Sequence, residues 1–195
     1  MYELGRAGSY RAPLLHRDGS MKTLVVHYSR TGNTRTLARQ IGAALGADVE
    51  EITDRANRRG ILGYLRSGRD AWFGRRTELV PSAVDPSAFD LVVIGTPVWN
   101  ASLSSPVRTF LEDHAKALRS VAFFCTMGGR GSERVFRQME AVCHKPPLGT
   151  FARTERQLAS SDLPEAIGGF ASRLRGALAA EPDRGPGEST RAASK

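Results

Sequence analysis

Short apolar runs alternate along this chain with longer segments whose apolar residues recur every three or four positions. Continuous apolar runs are typical of strands that are covered on both faces, and the longer period is typical of helices that bury one face. The predicted strands are residues 22–28, 47–53, 89–97, 120–126 and 148–154. The predicted helices are residues 33–45, 61–73, 105–118, 132–142 and 163–178.

This alternation of strands and helices predicts the fold class. A helical crossover brings the next strand into the sheet parallel to the previous one, and such crossovers are right-handed. We therefore predict a doubly wound α/β domain with a five-stranded parallel sheet. Ligands of such sheets bind beyond the carboxyl ends of the strands, near the point where the strand order reverses.

The two ends of the chain fall outside the alternating pattern. Met21 opens the stretch "MKTLVV", so we expect residues 1–20 to be an extension outside the core and residues 21–180 to form one domain. Residues 181–195, "EPDRGPGESTRAASK", are polar and rich in glycine and proline, which predicts a disordered tail. A hydrophobic content of 41% in 195 residues suits one packed domain.

Two further features of the sequence concern the location of the protein in the cell and the state of its cysteines. No apolar run reaches the ~18 residues of a membrane helix, and the start lacks the apolar stretch of a secretory signal, so we expect a cytoplasmic protein. Cys125 and Cys143 are the two cysteines, and their spacing matches no zinc or redox motif. Cys125 lies in the apolar run "VAFFCT", which predicts a buried and unreactive thiol.

The chain carries a formal net charge of +8, and its positive charge is concentrated in one segment. Residues 55–76 contain seven arginines and one acid, Asp70. No zinc-finger spacing, basic zipper or RNA-recognition motif accompanies them, so we predict no nucleic acid partner. Two interpretations remain open, a solvated arginine-rich face and a docking surface for an acidic protein.

Residues 29–34, "SRTGNT", join the first predicted strand to the first predicted helix. The free N–H groups of a helix N-terminus attract anions, and hydroxyl and amide side chains add further donors. A glycine lets the backbone turn closely around a ligand. The motif lacks the lysine pattern of a P-loop. It predicts a phosphate site built from neutral donors, with a simple helix cap by Thr31 or Asn33 as the alternative.

The loop at residues 95–106, "GTPVWNASLSSP", follows the strongest predicted strand and contains Trp99. An exposed indole beside a phosphate site could stack on a flat ligand, whereas the alternative is an indole packed into the core. The loop at residues 126–132, "TMGGRGS", contains three glycines, through which backbone N–H groups could approach a ligand. Its partial match to a dinucleotide-binding glycine motif lacks the third glycine.

The three loops follow strands of one parallel sheet, so we expect them to meet at one edge. One loop suits a phosphate, one offers an aromatic ring, and one offers backbone donors. A phosphate joined to a planar ring system that accepts hydrogen bonds fits all three. Riboflavin monophosphate (FMN) is such a molecule.

The motifs "YSRTGNT", "GTPVWNAS" and "TMGGRG" together resemble those of the flavodoxin family, over residues 22–178. The resemblance implies a five-stranded parallel sheet of order 2-1-3-4-5 and FMN as the cofactor. It implies that FMN is bound by Ser29, Arg30, Thr31, Gly32, Asn33, Thr34, Pro97, Val98, Trp99, Asn100, Ala101, Thr126, Met127, Gly128, Gly129 and Gly131.

Three functions are compatible with this interpretation. The first is electron transfer between a reductase and an acceptor, with residues 55–76 docking a redox partner protein. The second is an NAD(P)H-dependent FMN oxidoreductase for quinones or other small acceptors. The third is a flavin-free module that binds a partner. The flavin supplies the chemistry in the first two, so we predict no catalytic side chain and no metal ligand.

Overall fold

Six strands and four α-helices are formed by the residues that the computed structural model describes, which are 22–55, 76–82 and 84–180. The strands are β1 (Thr23–His27), β2 (Asp48–Glu51), β3 (Leu91–Trp99), β4 (Ser102–Leu103), β5 (Ser120–Met127) and β6 (Thr150–Thr154). The helices are α1 (Asn33–Leu45), α2 (Ser105–His114), α3 (Ser132–Cys143) and α4 (Leu163–Ala180).

The strands form one sheet in the order β2-β1-β3-β5-β6, and every neighbouring pair in that path is parallel. The two-residue strand β4 lies off this path and pairs antiparallel with the end of β3. Without β4, the order is 2-1-3-4-5, so the predicted topology is confirmed. The chain runs outward from β1 to β2 and then crosses to β3 on the other side of β1. The order therefore reverses between β1 and β3, where ligands of doubly wound sheets bind.

Helices cover both faces of the sheet, which explains the continuous apolar runs of its strands. One face carries a core from the sheet, α2 and α3 that includes Val26, Ile94, Phe123, Leu111 and Met139. The other face carries a core from the sheet, α1 and α4 that includes Val25, Phe124, Ile41, Phe170 and Leu174. All ten of these side chains are at most 1% exposed, so the sheet is buried on both sides.

Most element boundaries lie within two residues of the prediction, and α1 begins and ends at the predicted residues. Helix α2 is the exception, because it ends at His114 and not at residue 118. The carbonyl of His114 accepts hydrogen bonds from the N–H groups of Ala117 and Leu118, which form a turn toward β5. Leu118 is 2% exposed, so the turn is anchored in the core. The predicted helix at residues 61–73, the extension 1–20 and the tail 181–195 lie outside the described residues.

The described thiols are those of Cys125 and Cys143, and both are free and buried. Burial raises the pKa of Cys125 to about 12, so its thiolate does not form near neutral pH. The prediction that Cys125 is buried is confirmed. Within the part of the chain that the structure describes, no helix is long and apolar enough to cross a membrane.

Candidate functional site

Helix α1 begins at the switch point with an uncapped N-terminus. Its N-cap residue is Gly32, whose φ of 101° lies in the left-handed region, and no side chain caps the helix. The alternative interpretation, a simple cap by Thr31 or Asn33, is therefore wrong. The first turn contains no acidic residue. Helix geometry leaves the first amides without intrahelical partners, so the positive end of the helix dipole is available to an anion.

The loop before α1 is already folded around this N-terminus. The Ser29 hydroxyl accepts a hydrogen bond of 3.1 Å from the N–H of Gly32, which closes the turn. A Cβ added at Gly32 would meet no atom within 4 Å, so open space lies next to the backbone there. Open space beside free amides and hydroxyl groups suits a phosphate group. On this observation, the residues present fit the phosphate of FMN.

The segment at residues 29–34 contacts the segment at residues 126–132 through two buried hydroxyl groups, one at the start of α1 and one near the end of β5. The Oγ1 atoms of Thr34 and Thr126 lie 2.7 Å apart, and both residues are nearly fully buried. One hydroxyl donates to the other, so one hydroxyl hydrogen of the pair remains available for a ligand or a backbone acceptor. The pair therefore joins the predicted phosphate loop to the predicted glycine loop.

The loop after β5 also contacts the loop after β3. Gly131 has a φ of 113°, and a Cβ added there would lie 3.0 Å from the Cα of Ala101 and 3.3 Å from Cγ1 of Val98. The missing side chain at Gly131 thus allows the two loops to approach closely. With the contact between Thr34 and Thr126, this approach brings all three predicted loops to one rim of the sheet.

The loop after β3 is more regular than the sequence predicts. Strand β3 continues to Trp99, and β4 folds back on it through a turn formed by Asn100 and Ala101. Both turn residues have positive φ, 50° and 52°, as in the two-residue turns whose twist matches that of a hairpin. Asparagine tolerates this conformation, whereas alanine is strained in it. The tip of this hairpin is the part of the loop that faces Gly131.

The prediction of an exposed Trp99 is wrong. Its side chain is 6% exposed and belongs to the core between the sheet, α2 and α3. Its ring meets Tyr28 edge to face, with centroids 5.5 Å apart and an interplanar angle of 90°. Because β4 draws Trp99 into the sheet, the indole contacts the loop after β1 and does not offer an open face for stacking.

The glycine loop leaves much of the rim open. Gly128 and Gly129 are exposed, and a Cβ added at either would meet no atom within 4 Å. Among the described residues of the three loops, Tyr28 and Trp99 are the aromatic ones, and both are buried. The remaining predicted site residues are half-buried or exposed in the three loops: Arg30, Thr31, Pro97, Val98 and Met127. Their contact with FMN remains a prediction.

The sequence analysis missed an acidic residue at this rim, Glu155. It follows β6 directly, and its Oε1 accepts a hydrogen bond of 3.0 Å from Nδ2 of Asn33, the first residue of α1. One N–H group of the predicted amide donor is therefore already engaged. The carboxyl end of β6 lies at the same edge as those of β1 and β5, so extending the search to the last strand could have found Glu155.

A buried histidine lies at the end of β1, directly before the phosphate loop. His27 is 2% exposed, and neither ring nitrogen makes a hydrogen bond of normal geometry among the described residues. Its Nε2 lies 3.8 Å from Oε2 of Glu51, whose carboxylate is held by both Nε and Nη2 of Arg35. Burial lowers the pKa of His27, Arg35 and Arg39 lower it further, and Glu51 and the backbone carbonyl of Glu50 oppose the shift.

This lowered pKa predicts that the free energy of unfolding decreases as the pH falls from 7.5 to 5.5. The unfolded chain takes up a proton near pH 6.5, while folded His27 stays neutral to lower pH, so acid favours the unfolded state. The nearby Glu51 carboxyl titrates below this window, because Arg35 lowers its pKa despite partial burial. Urea unfolding at several pH values should show a flatter pH dependence in His27→Leu. An equal slope in wild type and His27→Leu would contradict the prediction.

Comparisons with known proteins agree with the predicted fold and with FMN as the cofactor. The profile of a family described as NADPH-dependent FMN reductase matches residues 21–161. A flavoprotein from Lactobacillus acidophilus in complex with FMN is 23% identical, with a TM-score of 0.61 over 68% of this chain and 93% of that chain. A protein from Agrobacterium tumefaciens that is described as a WrbA-like flavodoxin is 14% identical, with a TM-score of 0.52. The match covers 81% of this chain and 98% of that chain. Oxidised flavodoxin 2 from Bacillus cereus is 16% identical, with a TM-score of 0.50, and the match covers 80% of this chain and 98% of that chain. These likenesses show a flavodoxin-like fold. A search of curated protein sequences found no match.

Proposed function

The chain belongs to the NADPH-dependent FMN reductase family, and on this premise we propose that it binds FMN at the rim of the three loops and uses NADPH to reduce a small acceptor. A redox role and a flavodoxin-like fold follow from the family and the structural neighbours. FMN as the cofactor agrees with the sequence prediction, the family's description and the FMN complex of the L. acidophilus protein.

In this proposal the loop after β1 holds the phosphate. The amides at the start of α1 and the hydroxyl groups of Ser29, Thr31 and Thr34 donate hydrogen bonds to it. The engaged pair of Thr34 and Thr126 keeps this loop in place beside the glycine loop.

The ring system would lie against the part of the glycine loop at Gly128 and Gly129, where open space borders the backbone. FMN supplies the redox chemistry when bound, and the chain supplies binding and orientation. The backbone around Gly128 and Gly129 is open to solvent and can donate N–H groups to the ring edge without obstruction by side chains. No catalytic acid or base is required of the chain in this scheme.

The open rim is the observation that favours a reductase over an electron carrier. A nicotinamide must lie flat against a flavin, with the reacting atoms about 3–3.5 Å apart, to pass a hydride. The two aromatic side chains of the described loops are buried against each other, Trp99 on Tyr28, and neither covers the rim. Within the described parts of the three loops, no aromatic side chain therefore blocks a planar donor or acceptor from a ring bound there.

Electron transfer to an acidic redox partner through residues 55–76 remains the second candidate. Only Arg55 and Arg76, the two ends of that segment, lie among the described residues, and both make ion pairs within the chain. Arg55 pairs with Glu78, and Arg76 pairs with Glu112 and Asp113. Both described ends of the segment therefore already have acidic partners within this chain.

The test is NADPH oxidation by the purified protein loaded with FMN, with a quinone or ferricyanide as acceptor. We expect turnover of at least ~1 s⁻¹ without any added protein, which is within the usual range of enzymes. Free FMN at the same concentration is the control for non-enzymatic reduction. Turnover that depends on an added reductase would contradict the proposal and favour the electron carrier. A colourless protein that takes up no FMN would contradict both and favour the flavin-free module.

A further inference from the structure

Glu155 places a carboxylate beside the proposed phosphate site. Its backbone N–H is bonded to the carbonyl of Met127 at 3.0 Å, which ties it to the glycine loop. Its side chain reaches Asn33, the residue that follows the N-cap Gly32 of α1. A carboxylate can only accept hydrogen bonds, so the amide nitrogen of Asn33 must face Glu155. The pair therefore spans from the end of β6 to the first residue of α1.

The Glu155 carboxylate supplies a negative charge that the first turn of α1 lacks. The helix has neither a side-chain cap nor an acidic residue in its first turn, although both stabilise helix N-termini. Glu155 brings a negative charge to the same end of the helix from a distant part of the chain. Its negative charge interacts favourably with the positive end of the helix dipole, as the charge of a bound phosphate would.

We propose that Glu155 is a specificity-determining residue that stabilises the free protein and opposes the phosphate of the ligand, an inference that rests on the proposed function. Two negative groups at one helix N-terminus repel each other, and the repulsion is reduced but not abolished by solvent. The bond from Asn33 to Glu155 also withholds a donor from the phosphate. Glu155 therefore weakens the binding of FMN and has no such effect on riboflavin, which has the same ring and no phosphate.

The test compares FMN and riboflavin binding to the apoprotein, by fluorescence quenching, in wild type and Glu155→Gln. Glutamine keeps the length and the hydrogen-bonding capacity of the side chain and removes its charge. We expect the Kd for FMN to fall about three- to tenfold and the Kd for riboflavin to change less than twofold. The gain for FMN should shrink at 0.5 M salt, because salt screens exposed charges. The Tm of the apoprotein should fall by about 1–3 °C, since α1 loses its negative neighbour.

Glu140→Gln is the matched control, because it removes the same charge from an exposed site in α3, near the end of that helix remote from its glycine loop. It should change neither Kd. An unchanged or higher Kd for FMN in Glu155→Gln would overturn the inference and leave the proposed function intact. A wild-type protein that binds neither flavin would overturn both.

Discussion

Replacement of Gly95 by alanine is expected to lower the free energy of unfolding by about 2–3 kcal/mol, a typical cost of overpacking a core. Gly95 lies in β3 directly opposite Phe124 of β5. A Cβ added there would lie 2.0 Å from Cζ of Phe124 and within 2.5 Å of two further ring atoms. The Phe124 ring is fully buried, so it cannot move aside without disturbing the core. Urea unfolding monitored by circular dichroism measures the effect.

Two companion variants make this prediction specific. Gly168 lies inside α4, and a Cβ added there would meet no atom within 4 Å, so Gly168→Ala should increase stability by about 0.5–1 kcal/mol. The double variant of Gly95→Ala with Phe124→Leu should lose less stability than the sum of its single changes, because the smaller side chain makes room for the new methyl group. If Gly95→Ala unfolds like the wild type, the close approach of Phe124 is not a packing constraint.

Replacement of Gly131 by alanine is expected to have the second largest effect, on stability and on FMN binding together. The φ of 113° is strained for any side chain, and the new Cβ would press on Ala101 and Val98. We expect a loss of about 1–3 kcal/mol in the free energy of unfolding. Because the change separates the glycine loop from the hairpin turn, the Kd for FMN should also rise at least tenfold. Chemical denaturation and fluorescence titration of the same preparation measure both.

Gly46 provides the matched control for this substitution. It also has a positive φ, 67°, but lies at the C-terminal end of α1 with no atom within 4 Å of an added Cβ. Gly46→Ala should therefore cost about 1 kcal/mol from backbone strain and leave the Kd for FMN unchanged. If Gly131→Ala loses no more affinity for FMN than Gly46→Ala does, the contact between these loops does not shape the site.

Much of the fold could be predicted because its determinants are local. Buried parallel strands need unbroken apolar runs, and the run at residues 120–126 became β5 with one residue added. Helix α1 has the predicted bounds because its apolar positions recur with the helical period between Gly32 and Gly46, which end it on both sides. The loop at residues 29–34 could be predicted as a candidate phosphate site for the same reason, since its glycine and hydroxyl residues are adjacent in the sequence.

The errors concern residues whose surroundings come from distant parts of the chain. Trp99 follows an apolar strand and precedes polar residues, a pattern that suits an exposed loop as well as a hairpin. Its burial depends on the packing of Tyr28, which lies more than 70 residues earlier. Glu155 reaches Asn33 across 122 residues, and no local pattern connects the two. Helix α2 ends early because Leu118 is anchored in a core made by other elements.

The amino-acid sequence by itself determined the alternation of strands and helices, the order of the sheet through its family resemblance, and the composition of the three loops. These follow from periodicity and local backbone preferences, which neighbouring residues settle among themselves. Only the tertiary structure decided which loops meet at one rim, which aromatic rings are buried, and which carboxylate contacts the first residue of α1. Those outcomes depend on contacts between residues far apart in the sequence, because folding brings the ends of several strands to one rim.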